Sequence, residues 1–405
     1  MQTANSAADT RPAPPLTAEE IIKRAEDLQP WLRERSDDIE AGRRLSGEVV
    51  EALRDTGVFG MAFPTAWGGP ELTSSEQTRV IEALSYGDTS AGWCAMIGMD
   101  SGIYAGYLDE DTARGMFPAQ NEITAGLIFP SGRADRVEGG YRLTGRWKFG
   151  SGITHCDWVS AGAFVYRSGE PEPSPAGAER HWRMFILPPT EVTVLDTWHT
   201  TGLSGSGSCD YEVQGVFVPE SHTFSFGVPR SRSGPLSLPD AFVRNMPGVP
   251  LGTARAALDH FRAIARERTI AATGGRWADD YRIQLTLAEC EMEFQAARHA
   301  VYGSLDEHWS RLATAASLDD LTDDQRIATM LPRVNSFRAA RRIISRLYDL
   351  LATGAIYRPN PMDRWLRDIT TMCQHIVVQD QIVQSAGAYL LGGDPQFPFS
   401  LGIVE

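Results

Sequence analysis

Gly139-Gly140-Tyr141-Arg142-Leu143-Thr144-Gly145-Arg146-Trp147-Lys148-Phe149-Gly150-Ser151-Gly152 is the stretch whose reading decides the fold. The paired glycines favour a tight turn, after which Tyr141 and Leu143 read as the start of a strand. Trp147 and Phe149 alternate with Arg146 and Lys148, the pattern of a strand with one apolar face. That strand runs into Gly150-Ser151-Gly152. Glycines on both sides of a serine let the backbone approach a flat ligand closely and leave a hydroxyl pointing at it. An ordinary hairpin closed by a Gly-Ser turn uses the same residues, so the stretch alone leaves both readings open.

The chain around it changes period twice. Residues 17–117 are helical: Thr17 and Glu20 form a capping box, and Ile21, Ile22, Ala25, Leu28 and Leu32 recur at helical spacing. Further helices are expected over 46–56, 73–86, 90–107 and 109–116, with a Pro/Gly loop at 63–70. Six short strands follow (123–129, 141–149, 158–166, 182–187, 192–198, 209–218), a spacing that suggests a small antiparallel barrel or sandwich. After a long connection at 221–250, helices return over 251–269, 279–309, 323–353 and 361–391. The expected fold class is mainly α with an inserted small β-barrel. Its division is a disordered tail at 1–15, an N-terminal helical domain at 16–120, a β domain at 121–225, a connecting loop at 226–250 and a C-terminal helical bundle at 251–405.

Composition excludes several functions. With 38 Lys and Arg against 52 Asp and Glu, the net charge of −14 argues against nucleic acid or an anionic membrane as partner. No run approaches the roughly 20 apolar residues needed to cross a bilayer. The five cysteines are scattered and form no Cys-x-x-Cys pair, so neither structural zinc nor a disulfide framework is expected and a reducing cytoplasm fits.

The order helical, β, helical carries four motifs. They are Phe63-Pro64…Trp67-Gly68-Gly69, the stretch Tyr141–Gly152, Trp198…Gly202…Ser206-Gly207-Ser208 with Val216-Phe217-Val218-Pro219, and Arg367-Asp368. Together they resemble the acyl-CoA dehydrogenase fold from about Leu16 to Gly393. Dehydrogenases of that fold keep a catalytic glutamate shortly after Arg-Asp. Here Ile369-Thr370-Thr371-Met372-Cys373-Gln374-His375 follows, with no carboxylate before Asp380. In this the chain is similar to the oxygenase components of two-component flavin monooxygenases (group D, hydroxyphenylacetate hydroxylase-like), which carry a histidine at this place.

The resemblance implies reduced FMN (or FAD) delivered by a separate flavin reductase and O2 as co-substrate. A C4a-hydroperoxide would then hydroxylate a small, aromatic (phenolic or indolic) substrate in a cytoplasmic homotetramer. N-oxygenation of an amine or amino sugar, acyl-CoA dehydrogenation using Asp380 or another carboxylate as base, and a non-enzymatic flavin-fold partner are the alternatives. Ser151 is expected at the flavin N5, next to Gly152, with Trp147 and Phe149 as apolar walls or core. His375, with an ordinary pKa near 6.5, is the candidate acid–base residue. Arg266 and Arg268 suit a flavin phosphate. Trp93 and His155 are expected beside the substrate pocket, and Arg367 and Asp368 as a structural pair; no metal site is expected.

Overall fold

The structure, a computed structural model, describes residues 15–175, 180–270, 273–315 and 320–394. The expected tail at 1–15 lies outside them except for Pro15, as does part of the loop at 168–179.

Six helices come first: α1 (Ala18–Gly42), α2 (Gly47–Thr56), α3 (Ser74–Gly87), α4 (Thr89–Gly98), α5 (Ser101–Ala105) and α6 (Glu110–Met116). Their starts are written in the sequence. Thr17 with Glu20 and Thr73 with Glu76 make reciprocal capping boxes, and the Asp88 carboxylate accepts from the Ala91 N–H (2.9 Å) to start α4. The helix expected over 90–107 breaks into α4 and α5, with Gly98 and Gly102, poor helix formers, on either side of the break.

Among the described residues eight strands follow: β1 (Thr124–Val137), β2 (Gly140–Gly150), β3 (Trp158–Arg167), β4 (Glu170–Pro171), β5 (Trp182–Leu187), β6 (Thr193–Leu195), β7 (Cys209–Pro219) and β8 (Thr223–Phe224). They form one sheet in the order β6-β7-β2-β1-β3-β5-β8, with β4 paired to β3. The expected closed, all-antiparallel barrel is corrected on two counts. The hydrogen-bonded path ends at β6 and β8 without closing, and β1 pairs with β3 in parallel, through a register shift between Leu127 and Gly132. The inner face packs Tyr141, Leu143, Trp147, Val165, Phe185 and Tyr211 into a core of its own. Trp147 fills its centre: the indole stacks on Tyr211 at 5.5 Å, donates to the Gly162 carbonyl (2.7 Å) and lies where a Cβ on Gly132 would stand.

The chain becomes helical again through α7 (Ala241–Arg244), α8 (Gly248–Glu267), α9 (Tyr281–Leu312), α10 (Asp323–Ile327), α11 (Met330–Leu351), α12 (Met362–Met372) and α13 (Asp380–Leu390). α11 packs on α8, α9 and α12, and α8 also packs on α3, so one apolar core runs through both helical regions. Two expected helices are divided. The one over 323–353 breaks between α10 and α11. The one over 361–391 breaks at Cys373–Gln379, where Ile376-Val377-Val378 places three β-branched residues in a row.

Replacing Trp147 with alanine should cost about 3–5 kcal/mol of stability, the range for emptying a buried tryptophan site. Urea denaturation measures it; a loss below about 1 kcal/mol would contradict the central place given to this indole.

Candidate functional site

The end of β2 meets α4 and the loop before β7 through a chain of hydroxyls. Trp93 Nε1 donates to Ser151 Oγ (3.0 Å), Ser151 Oγ lies 2.7 Å from Ser208 Oγ, Ser208 lies 2.7 Å from Ser206 Oγ, and Ser206 donates to the Leu203 carbonyl (2.7 Å). An indole N–H only donates and a carbonyl only accepts, so the two ends set the direction of every bond between them. Ser206 uses its proton on Leu203, so Ser208 donates to Ser206 and Ser151 donates to Ser208. Ser151 Oγ therefore has spent its proton and one lone pair, and keeps one lone pair free.

The turn is held from below. The Gly152 N–H donates to the Ser206 carbonyl (3.0 Å), and Gly152 sits at φ +76, the left-handed region that glycine reaches without strain. The loop carrying the serines is pressed onto α12. A Cβ on Gly202 would stand 2.1 Å from the Arg367 carbonyl oxygen, and the Leu203 N–H donates to the Asp368 carboxylate (2.6 Å). Burial raises the Asp368 carboxyl to about 7, with the nearby Asp88 adding to the effect.

His375 also meets Trp93, the two rings edge to face at 5.5 Å. It occupies the break between α12 and α13, in extended conformation, where the Val377 N–H points at its Nδ1 (3.4 Å). Burial, reinforced by the positive charge of Arg333, lowers its pKa to about 4. It is thus a neutral imidazole at physiological pH, and with Nδ1 accepting, its proton sits on Nε2. Beside Ser151, His155 is neutral for the same first reason, burial, aided by Arg54, which brings it to about 4. Both of its ring nitrogens are buried without a hydrogen-bond partner among the described residues, and its Nε2 approaches the Gly152 Cα side. Phe149 has φ +61 and turns its ring outward, 58% exposed and edge-on to the half-buried Trp198 at 6.4 Å.

The Acyl-CoA dehydrogenase, N-terminal domain family model matches residues 19–111, and the Acyl-CoA dehydrogenase, C-terminal domain model matches 247–380. The chain is 30% identical over 360 residues to an indole-3-acetate monooxygenase of Acinetobacter baumannii, covering 87% of this chain and 88% of that one. The chain belongs to the flavin-dependent monooxygenases of the acyl-CoA dehydrogenase fold. It is also 26% identical over 364 residues to the flavin-dependent monooxygenase oxygenase subunit HsaA of Rhodococcus jostii (86% of this chain, 91% of that one). Among solved structures, XiaF from Streptomyces sp., in complex with FADH2 and glycerol, shares the fold at a TM-score of 0.83 and 24% identity, covering 94% of this chain and 96% of that one.

For a flavin-dependent monooxygenase, the Ser151 corner suits a reduced isoalloxazine. Phe149, two residues before Ser151, presents an exposed ring edge-on to the half-buried Trp198, and Ser151 Oγ keeps a free lone pair, a combination that matches a planar ring bearing an N–H donor. Of the residues singled out in the sequence, Trp93, Ser151, Gly152, His155, Phe149 and His375 lie around this corner. Trp147 lies inside the sheet core. Arg266 and Arg268 stand elsewhere: Thr253 on α8 touches Thr89 at the start of α4 (3.1 Å), and Arg266 is 13 residues further along, roughly 20 Å at the helical rise. Arg268 lies over Trp277 at 4.0 Å.

Two expectations change. Arg367 and Asp368 do not pair with each other: Arg367 binds Asp363 and Glu40, while Asp368 holds Leu203. Asp380, the base required by a dehydrogenase reading, is exposed at the start of α13 and paired with Arg338 (2.8 Å). Sequence reasoning also missed Ser208 as part of the chain and Arg333 as a neighbour of His375. Ser208 stands in the quoted Ser206-Gly207-Ser208 motif. Arg333 gave no signal, because its burial depends on the connection folding over it.

Neutral buried histidines leave a pH signature. Between pH 6.5 and about 4 the unfolded chain holds a proton at His375 that the folded chain does not, so stability falls as pH drops through that window. His375→Gln should reduce the proton uptake on unfolding at pH 5 by about one. Urea midpoints across pH 4–7 would show this as a flatter profile, and an unchanged slope would count against the neutral assignment.

Proposed function

We propose that the monooxygenase hydroxylates a small aromatic substrate, phenolic or indolic, beside the Trp93 indole that Ser151 and His375 both contact. The observation that carries this reading is the convergence of Ser151 and His375 on the one indole of Trp93. The names of its relatives, which act on indole-3-acetate in one case, are consistent with it.

Flavin supplies the two electrons that activate O2. The protein's own part begins with Ser151, whose free lone pair would accept the N5–H of the reduced ring. The hydroxyl chain behind it keeps Oγ from turning away. Phe149 and Trp198 give the ring an apolar edge, and Gly152 and His155 border it. His375 holds a proton at Nε2, ready to donate to an oxygen of the substrate or of the group being transferred, and in a neutral state it adds no charge that would draw water in. Trp93 orients both residues. The reduced flavin, FMN or FAD, comes from a separate reductase, as the oxygenase-subunit name of the HsaA relative suggests. A cytoplasmic homotetramer, in which Arg266 and Arg268 reach a neighbouring subunit's flavin phosphate, is part of the same reading and accommodates their distance from Ser151.

Two substitutions separate the roles. Ser151→Ala should release hydrogen peroxide in place of product, lowering the product formed per flavin oxidised by about two- to tenfold, the value of one hydrogen bond. His375→Ala should leave flavin binding within about twofold and reduce hydroxylation by about a hundredfold. Peroxide and product are quantified together under limiting reduced FMN. Full coupling in both variants would remove the site assignment.

A further inference from the structure

Arg333 is a buried cation whose binding edge is unused. Only 2% of the residue is exposed, and among the described residues its Nε and Nη2 have no hydrogen-bond partner. These two donors lie on the same edge of the guanidinium, the side that receives a carboxylate bidentately. The neighbouring carboxylate is already engaged. Asp240 binds Arg244 through Nε (2.9 Å) and Nη2, and accepts from His308 (3.1 Å). Burial works against its charge, yet Arg244 and His308 keep it ionised well below the usual carboxylate range. Arg333 itself is lowered by burial only to about 10, so it stays charged. The cluster thus places two guanidiniums against one carboxylate. An uncompensated buried charge costs several kcal/mol and persists where something binds it.

The position of Arg333 points to what that is. α11 carries it along the break that holds His375: one turn further, the Phe337 carbonyl accepts from Cys373 Sγ (3.6 Å), and Arg338 binds the Val378 carbonyl (3.1 Å). On its other side stand Asp240 and Arg244 of the connection between the sheet and α8. Arg333 is near enough to His375 for its charge to depress that imidazole.

We propose that Arg333 reads an acidic arm on the aromatic substrate: a carboxylate carried beyond the ring docks on its Nε and Nη2 edge while the ring lies towards His375. This rests on the aromatic-hydroxylase reading and narrows it from aromatic compounds to aromatic carboxylates. The arm supplies the missing negative charge, so affinity and orientation come from the same contact, and a neutral analogue leaves both donors unpaired.

The test uses the full-length protein loaded with FMN and two matched pairs of probes: indole-3-acetate with indole-3-acetamide, and 4-hydroxyphenylacetate with its amide. Titration calorimetry should give tighter binding of the acid in at least one pair, by about tenfold to a hundredfold, the worth of a charged bidentate contact. Arg333→Met should abolish that preference by weakening the acid alone, and Arg333→Lys should keep part of it. Equal affinities for acid and amide in both pairs, or failure of both acids to bind, overturns the proposal with the unaltered protein and needs no variant. A preference that survives Arg333→Met overturns it as well. The outcome is separable from the hydroxylase reading. Hydroxylation without acid preference sinks the arm and keeps the oxygenase, whereas an Arg333-dependent preference without any hydroxylated product does the reverse.

Discussion

The donation from the Trp93 indole to the Ser151 hydroxyl joins two parts of the chain that otherwise have separate cores. Trp93 belongs to α4 and the helical core, and Ser151 to the last turn of β2. The bond works only if α4 is placed first. Asp88 begins α4, and Cys94 Sγ reaches the same Ser206 carbonyl that accepts from Gly152. The serine loop, in turn, is set by its contact with α12 through Gly202 and Asp368. Three stretches far apart in sequence are thus fixed against one hydroxyl, which is how a loop site becomes as rigid as the helices around it.

Much of this was legible in the sequence, for local reasons. Capping boxes at Thr17 and Thr73 announce their helices, and the alternation of Trp147 and Phe149 with charged residues announces β2. The Gly-Ser-Gly turn and His375 were legible as site candidates through resemblance, not through periodicity. What periodicity could not supply was continuity. The helices expected over 90–107, 323–353 and 361–391 each break, since apolar spacing survives a short interruption that the backbone does not. The parallel pairing of β1 with β3 was equally invisible, because an alternating strand pattern does not say which neighbour it will meet.

The two tryptophans show the limit most plainly. Trp147 and Trp93 both stand in stretches that suggested a pocket. One is enclosed by the sheet, where Gly132, Gly145 and Ala163 make room for it, and the other bridges Ser151 and His375. Which it would be depended on residues across the sheet and on a helix more than fifty positions away. Arg333 makes the same point for charge. On a helix surface it would be one arginine among many; under the connection that carries Asp240 and Arg244 it becomes a buried cation that lowers the proton affinity of His375.

The direction of the hydroxyl chain has a chemical consequence. Because Trp93 can only donate and the Leu203 carbonyl can only accept, Ser151 cannot turn its proton towards the ligand without leaving Ser208 unsatisfied. At the proposed flavin position it would meet the ring as an acceptor. Reduced flavin carries a hydrogen on N5 and offers a donor there, whereas oxidised flavin presents a bare nitrogen lone pair. One oxygen lone pair facing another nitrogen lone pair is repulsive, and in a buried corner water cannot relieve it. With the flavin N5 placed at Ser151 as proposed, the same four atoms that hold the sheet to the helices would discriminate between the two redox states of the cofactor. They would favour the form that reacts with oxygen over the form that must leave, the preference required of an oxygenase that receives its reducing equivalents as a diffusing ligand.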